Sequence, residues 1–186
     1  MKEAAHGSPL TQDVHVLPDF HGNRSPRADS HARGMISGLT LDSSFENLAR
    51  LYLATIQGVA YGTRHIIDAM SSKGYVINRI NACGGGIKNH LWLQEHSDIT
   101  GCDIYIARES EAVLLGAGIL AAVAANKFST IIEAMQAMSP RADRVKPHPG
   151  SSDFHGAKYQ VFKLMYDHQQ QHRQIMERPR VASEAA

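Results

Sequence analysis

A strand, a run of three glycines and a helix follow one another between Tyr75 and Gly101, and few architectures accommodate that order. YVINRINA, residues 75–82, is rich in β-branched and aromatic side chains and reads as a strand. Cys83-Gly84-Gly85-Gly86 then turns the chain into a helix that starts near Asn89 and stops at Gly101. DIYIA, residues 103–107, is another short strand. This alternation of strand and helix through the middle of the chain predicts an α/β fold.

The flanks supply the remaining elements. Met35–Leu41 reads as a strand that Gly38 weakens. A long helix is expected from Ser44 to Ser72, capped by Ser43 or Ser44. Its apolar residues Leu48, Leu51, Tyr52, Val59, Ile66 and Met70 recur at helical spacing and are expected to form core. Gly58 and Gly62 share one face of it, where they would admit another element closely, at a cost in helix propensity. Ser110 can cap an apolar helix over 111–125, and Thr130 with Glu133 makes a capping-box pattern for a short helix ending at Met138. A proline-rich connection, residues 140–150, precedes a last amphipathic helix carrying Val161, Phe162, Met165 and Ile175. Residues 18–34 are irregular: nine of the seventeen are Pro, Gly, Asn, Asp or Ser. So long a loop either lines a site, covers a neighbouring element, or is a frayed entry segment.

Composition narrows the function classes. A chain of 186 residues suits one domain. With 19 Lys and Arg against 18 Asp and Glu, a net charge of +1 argues against a general nucleic-acid binder. Two cysteines, Cys83 and Cys102, cannot make a disulfide framework, which points to a reducing, cytoplasmic setting. The apolar run Ala112–Ala125 falls short of the ~18 residues of a spanning helix and predicts a buried one, so no membrane partner is expected. The N-terminus has no apolar stretch resembling a secretory signal, and the acceptor pattern Asn23-Arg24-Ser25 is set aside for want of other signs of secretion.

Chemistry concentrates at the glycine run. Three glycines let backbone approach a ligand, and the following helix start presents unpaired N–H groups. Asn89 could cap that helix or offer its amide to a ribose or base. The spacing fits neither a dinucleotide fingerprint nor a phosphate-binding P-loop, and taken alone the run reads first as a tight strand-to-helix turn. His168 and His172 share a helix face as two metal ligands would, but no third ligand stands at a suitable spacing, so no metal site is assigned. Cys83 reads as a small buried residue beside the turn, with alkylation as the sharper alternative. Arg24, Arg27 and Arg33 could attract phosphate, but Asp19 and Asp29 are interleaved with them, and a solvated loop is the default.

Several stretches taken together carry a resemblance. CGGGIKNHLWLQEHSDITG (83–101) resembles the nucleotide-binding segment of the FGGY carbohydrate kinases. PDFHGNRSPRADSHARGMISGLTLD, then LYLATIQGVAYGTRHIIDAM, then ESEAVLLGAGILAA match the same family in the same order. PDFHGNRSP, YGTRHII and the KYQVF…HQ tail are most similar to its D-ribulose kinase-like branch. The likeness spans residues 14–176. It implies an RNase H-like, actin-like ATPase domain, the second domain of the kinase, with its N-terminal strands incomplete. Residues 14–142 would be the nucleotide-binding domain and 143–178 its linker and last helix, between an irregular segment, 1–13, and a tail, 179–186.

The resemblance implies γ-phosphoryl transfer from ATP, with Mg²⁺ bound mainly through the nucleotide, to a small sugar such as D-ribulose. Gly85 and Asn89 would contact ATP, with Gly84 and Gly86 shaping the turn. The loop Asp19, Phe20, Gly22, Asn23 and Arg24 would lie towards the interdomain cleft. The family's catalytic Asp, its sugar-binding first domain and its early phosphate-binding turns have no counterpart here. The chain is therefore expected to be a fragment of a longer frame, partnered by the missing N-terminal kinase domain. Asp19, Asp29, Asp98 and Asp103 are acids by type alone, and no catalytic residue is assigned. The competing expectation is a non-catalytic nucleotide-binding or interaction module with an exposed apolar face, able to form a homodimer. A nicotinamide-binding fold is disfavoured by the glycine spacing.

Overall fold

The computed structural model describes residues 9–106, 111–139 and 143–184. The chain divides into two compact units, one formed by Met1–Val76 with His148–Ala186 and the other by Ile77–Pro147.

In the first unit, β1 (His15–Leu17) pairs antiparallel with β2 (Met35–Ser37), setting His15 opposite Ser37 and Leu17 opposite Met35. The strand expected to reach Leu41 ends before Gly38, which sits at φ +84° with its α-carbon pressed so near Asp13 that an added Cβ would lie 1.6 Å from the Asp13 carbonyl oxygen. Helix α1 (Phe45–Ser71) begins as expected: the Ser44 hydroxyl accepts from the Asn47 N–H at 3.2 Å. Helix α5 (Ser152–Glu184) completes the unit.

The face of α1 that is covered differs from the expected one. Leu53, Ala54, Ile56, Gln57, Ala60 and Tyr61 are buried, whereas Leu48, Tyr52, Val59, Ile66 and Met70 are exposed, Leu48 by 60%. The cause is steric. β1 comes close at Gly58, where a Cβ would stand 2.4 Å from the Val16 carbonyl oxygen, and only a face of small residues permits that approach. Gly62, on the same face, meets nothing within 4 Å. Val14, Val16 and Ala54 cluster, with Leu51 of the expected stripe packed against them. The rings of Tyr61 and Phe162 lie 5.9 Å apart. Several buried polar groups of the unit are paired: Thr11 Oγ1 donates to Gln57 Oε1 at 2.7 Å, and Lys158 Nζ donates to the carbonyls of Val14, at 2.8 Å, and Thr11.

The second unit contains the β–α–β sequence. β3 (Arg79–Ala82) runs parallel to β4 (Asp103–Ile106), and α2 (His90–Thr100) connects them. β5 (Asp143–Val145), which the proline-rich stretch concealed, pairs antiparallel with β4. Residues 75–78 were expected to extend β3 but lie outside the ladder. Leu93, Ile99, Cys102 and Ile104 are buried, each such aliphatic side chain contributing about 1.5–3 kcal/mol. Helix α3 (Ala112–Ala124) and α4 (Ile131–Met138) pack on each other. Thr130 caps α4 by accepting from Glu133 N–H at 3.1 Å, while the Glu133 carboxylate accepts from Ser129 N–H at 3.0 Å, one residue earlier than in a standard capping box. The expected cap Ser110 lies outside the described residues, and Glu111 stands at the start of α3. α3 was expected to be buried. Only Ile119 is, while Val113 is 86% exposed, because α4 covers just one side of a helix that is apolar all round. No described helix is long and apolar enough to cross a membrane.

Candidate functional site

The glycine turn joins β3 to α2 as expected. Gly84 has φ +83° and ψ −166°, a conformation that excludes other residues. Gly85–Lys88 form one 3₁₀ turn in which the Ile87 N–H donates to the Gly84 carbonyl at 3.3 Å and the Asn89 N–H to that of Gly86 at 3.1 Å. Gly84, Gly85, Gly86 and Cys83 are exposed. Cys83 is thus not the buried residue expected, since β3 ends at Ala82 and the turn leaves the sheet behind it. Cys102 is the buried thiol, and loss of water pushes its pKa up.

The three glycines answer to different needs. Gly84 is required by its backbone. Gly85 is not: its φ lies outside the left-handed region, and a Cβ there would meet nothing within 4 Å. At Gly86 a Cβ would make ordinary contact with the Trp92 ring at 3.7 Å. Nothing in the protein's own packing calls for glycine at 85.

Asn89 is the cap of α2, its Oδ1 accepting from the Trp92 N–H at 3.2 Å, and Gly101 closes the helix in the left-handed conformation. Between these caps α2 carries a pair of close rings. The Trp92 and His96 rings lie 3.6 Å apart, and His96 Nδ1 donates to the Trp92 carbonyl at 2.8 Å. His96 is buried with Nε2 unpartnered among the described residues, and loss of water pulls its pKa down. Only the spacing of four, which places both rings on one face, hints at this pair in the sequence.

The other expected group, residues 19–24, lies in the first unit. It is an ordered loop. Asn23 and Asp29 exchange backbone hydrogen bonds of 2.8 Å in both directions. Asn23 Nδ2 donates to Asp19 Oδ1 at 2.9 Å, and Arg27 pairs with Asp19 Oδ2 at 3.4 Å. Gly22, at φ +81°, lies so near the 29–30 backbone that a Cβ would come within 2.9 Å of the Ser30 carbonyl oxygen. Phe20 is 58% exposed, with its ring over Gly34, and Arg24 is exposed.

Helix α5 holds the far side of this loop. Asp29 Oδ2 accepts from Tyr166 Oη at 3.1 Å, Gln170 Nε2 at 2.9 Å and Arg173 Nη1 at 2.9 Å. Partial loss of water raises the Asp29 pKa, but the hydrogen bonds from the His31 N–H and these side chains outweigh that and bring it down to about 2. The Arg27 guanidinium lies 3.6 Å from the Tyr166 ring centroid.

All four aspartates considered as a base have hydrogen-bond or ion-pair partners. Asp19 and Asp29 are engaged as described, Asp98 accepts from Gln94 Nε2 at 2.9 Å, and Asp103 pairs with Arg144. Among the described residues no three His, Cys, Asp or Glu side chains gather as a metal site would require, and His168 and His172 are exposed on α5.

Comparison with known proteins places the chain in a family. Residues 1–125 match the model of the FGGY family of carbohydrate kinases, C-terminal domain. The chain is 47% identical over 169 residues to an FGGY carbohydrate kinase domain-containing protein of Xenopus laevis, covering 91% of this chain and 31% of that protein. It is 35% identical over 173 residues to a ribulokinase of Geobacillus thermodenitrificans, covering 90% of this chain and 30% of the relative. The fold matches a ligand-bound xylulose kinase from Lactobacillus acidophilus with a TM-score of 0.73, at 23% identity, over 89% of this chain and 33% of that one. The chain thus spans about a third of the length of the curated relatives it matches.

Proposed function

This chain belongs to the FGGY family of carbohydrate kinases through its C-terminal domain, and on that premise we propose that it is the ATP-holding part of a kinase for a pentulose such as D-ribulose. One observation carries the reading: Gly85 is a glycine that neither its backbone angle nor its protein neighbours require, in an exposed turn ahead of a well-capped helix. In this reading the Gly85 backbone and the Asn89 side chain contact the nucleotide. Gly84 supplies the bend. The N-terminal end of α2 favours the negative charge of phosphates.

Bound ATP, with Mg²⁺ held mainly through it, supplies the transferable γ-phosphoryl group. What this chain contributes is position: a turn whose geometry is set before the ligand arrives, so that little ordering is needed on binding. The cytoplasmic setting belongs to the same reading. A second reading, a non-catalytic module that associates with another surface, is favoured by the exposed apolar residues Phe45, Leu48 and Tyr52 on α1 and Val113 and Leu114 on α3.

Two substitutions test the site. Gly85→Val fills the approach to the turn and is expected to abolish saturable ADP binding by the 186-residue chain. Asn89→Ser keeps a capping oxygen for Trp92 N–H while removing the amide, so α2 stays intact while ADP affinity falls about tenfold. Unchanged ADP affinity in both variants, measured by calorimetry, would remove the glycine turn from the nucleotide site.

A further inference from the structure

The loop arginines that the sequence left undivided are sorted by the structure into different roles. Arg27 is paired with Asp19 and stacked on Tyr166, and Arg33 Nη1 donates to the carbonyl of its neighbour Ala32 at 2.9 Å. Asp29, the other acid interleaved with them, is held by Arg173, Tyr166 and Gln170 of α5. Both acids are thereby neutralised, and Arg24 is left as an exposed guanidinium with no ion pair or hydrogen bond among the described residues. It lines a recess of about 300 Å³ together with His21, Asn23, Ala28 and Ser30. We propose that this recess is a binding site for a phosphate group, with Arg24 as its principal ligand.

Three features support the assignment. The recess is built before any ligand arrives: Asn23 and Asp29 clasp its two sides through backbone bonds of 2.8 Å, and α5 holds Asp29 in place. Its polar lining comprises the Arg24 guanidinium, the His21 imidazole and Ser30, whose hydroxyl lies 3.3 Å from His31 Nδ1. That set suits the several oxygens of a tetrahedral oxyanion, whereas a planar carboxylate is satisfied by one guanidinium alone. Finally, Ala28 in the wall of the recess has φ +51°, a left-handed conformation that an alanine adopts only when its surroundings impose it. The site is distinct from the glycine turn and does not rest on the nucleotide assignment there. Its phosphate has two sources, the nucleotide and a phosphorylated sugar.

The test is calorimetric titration of the 186-residue chain with inorganic phosphate, with acetate as the control anion. The variants are Arg24→Gln, Arg24→Lys, Arg33→Gln and Gly85→Val, with thermal unfolding of each confirming the fold. Saturable phosphate binding is expected, weakened at least tenfold by Arg24→Gln and less by Arg24→Lys, and unchanged by Arg33→Gln and Gly85→Val. No saturation, equal binding of acetate, insensitivity to Arg24→Gln, or loss in Gly85→Val instead would each overturn the site. Titrating D-ribulose 5-phosphate and ADP separately into the native chain and into Arg24→Gln then separates the sources: the ligand whose binding weakens in Arg24→Gln is the one this recess takes. Failure of both ligands to show that dependence overturns the proposal as well.

Discussion

Gly58 and Gly62 lie four residues apart on one face of α1, and replacing each with alanine is expected to move stability in opposite directions. In a helix interior alanine is favoured over glycine by about 1 kcal/mol. At Gly62 nothing within 4 Å opposes the new methyl group, so Gly62→Ala gains that amount. At Gly58 the methyl carbon would stand 2.4 Å from the Val16 carbonyl oxygen, where real contacts essentially never fall below 3.0 Å. Helix and strand must separate by more than half an ångström, and the obstacle is backbone, which has no rotamer to change. Overpacking of this kind costs about 1–3 kcal/mol, which cancels or exceeds the propensity gain. The net expectation is a loss of up to about 2 kcal/mol for Gly58→Ala. At about 2–4 °C per kcal/mol for a chain of this size, thermal unfolding followed by circular dichroism resolves the two signs. Stabilisation by Gly58→Ala equal to that by Gly62→Ala would refute the packing of β1 against α1.

Two further predictions concern the loop strapped to α5. The Asp29 pKa is held at about 2, so the stability it contributes is present in full above the ordinary carboxylate range, near pH 4, and is lost as pH falls towards 2. The difference in unfolding midpoint between the native chain and Asp29→Asn should therefore be constant above about pH 4 and shrink below it; a difference independent of pH down to 2 would contradict the network. At Ala28, φ +51° costs about 1 kcal/mol, and glycine, which relieves it, carries about 0.5–1 kcal/mol of extra chain entropy in the unfolded state. Ala28→Gly should leave stability unchanged or raise it by up to about 0.5 kcal/mol, whereas Ala28→Val should lower it by at least about 1 kcal/mol, as chemical denaturation would show.

Local chemistry was legible in the sequence wherever it decides structure by itself. Ser44, Asn89 and Thr130 each cap a helix as side chains of their type do, and Gly101 ends α2 in the left-handed conformation. The strand–turn–helix order around Gly84–Gly86 was legible for the same reason. Orientation was not. The periodicity of Leu48, Tyr52, Val59, Ile66 and Met70 shows that a face is apolar, and says nothing of what covers it. The small residues Ala54, Gly58 and Ala60, which carry little hydrophobic signal, decided where β1 packs. α3 misled in the same way, its uniform apolarity suggesting burial that α4 gives on one side alone. The network at Asp29 was invisible, since its partners on α5 are 137, 141 and 144 residues away along the chain. β5 was hidden among the prolines flanking Asp143–Val145, yet as an edge strand it needs only three residues and one neighbour.

The central claim is that this chain holds a nucleotide at its glycine turn, and calorimetric titration of the purified 186-residue chain with ADP and ATP in the presence of Mg²⁺ tests it most directly. The account predicts saturable binding at one site per chain, abolished by Gly85→Val. A folded chain that shows no heat of binding, or that binds equally well as Gly85→Val, would contradict it.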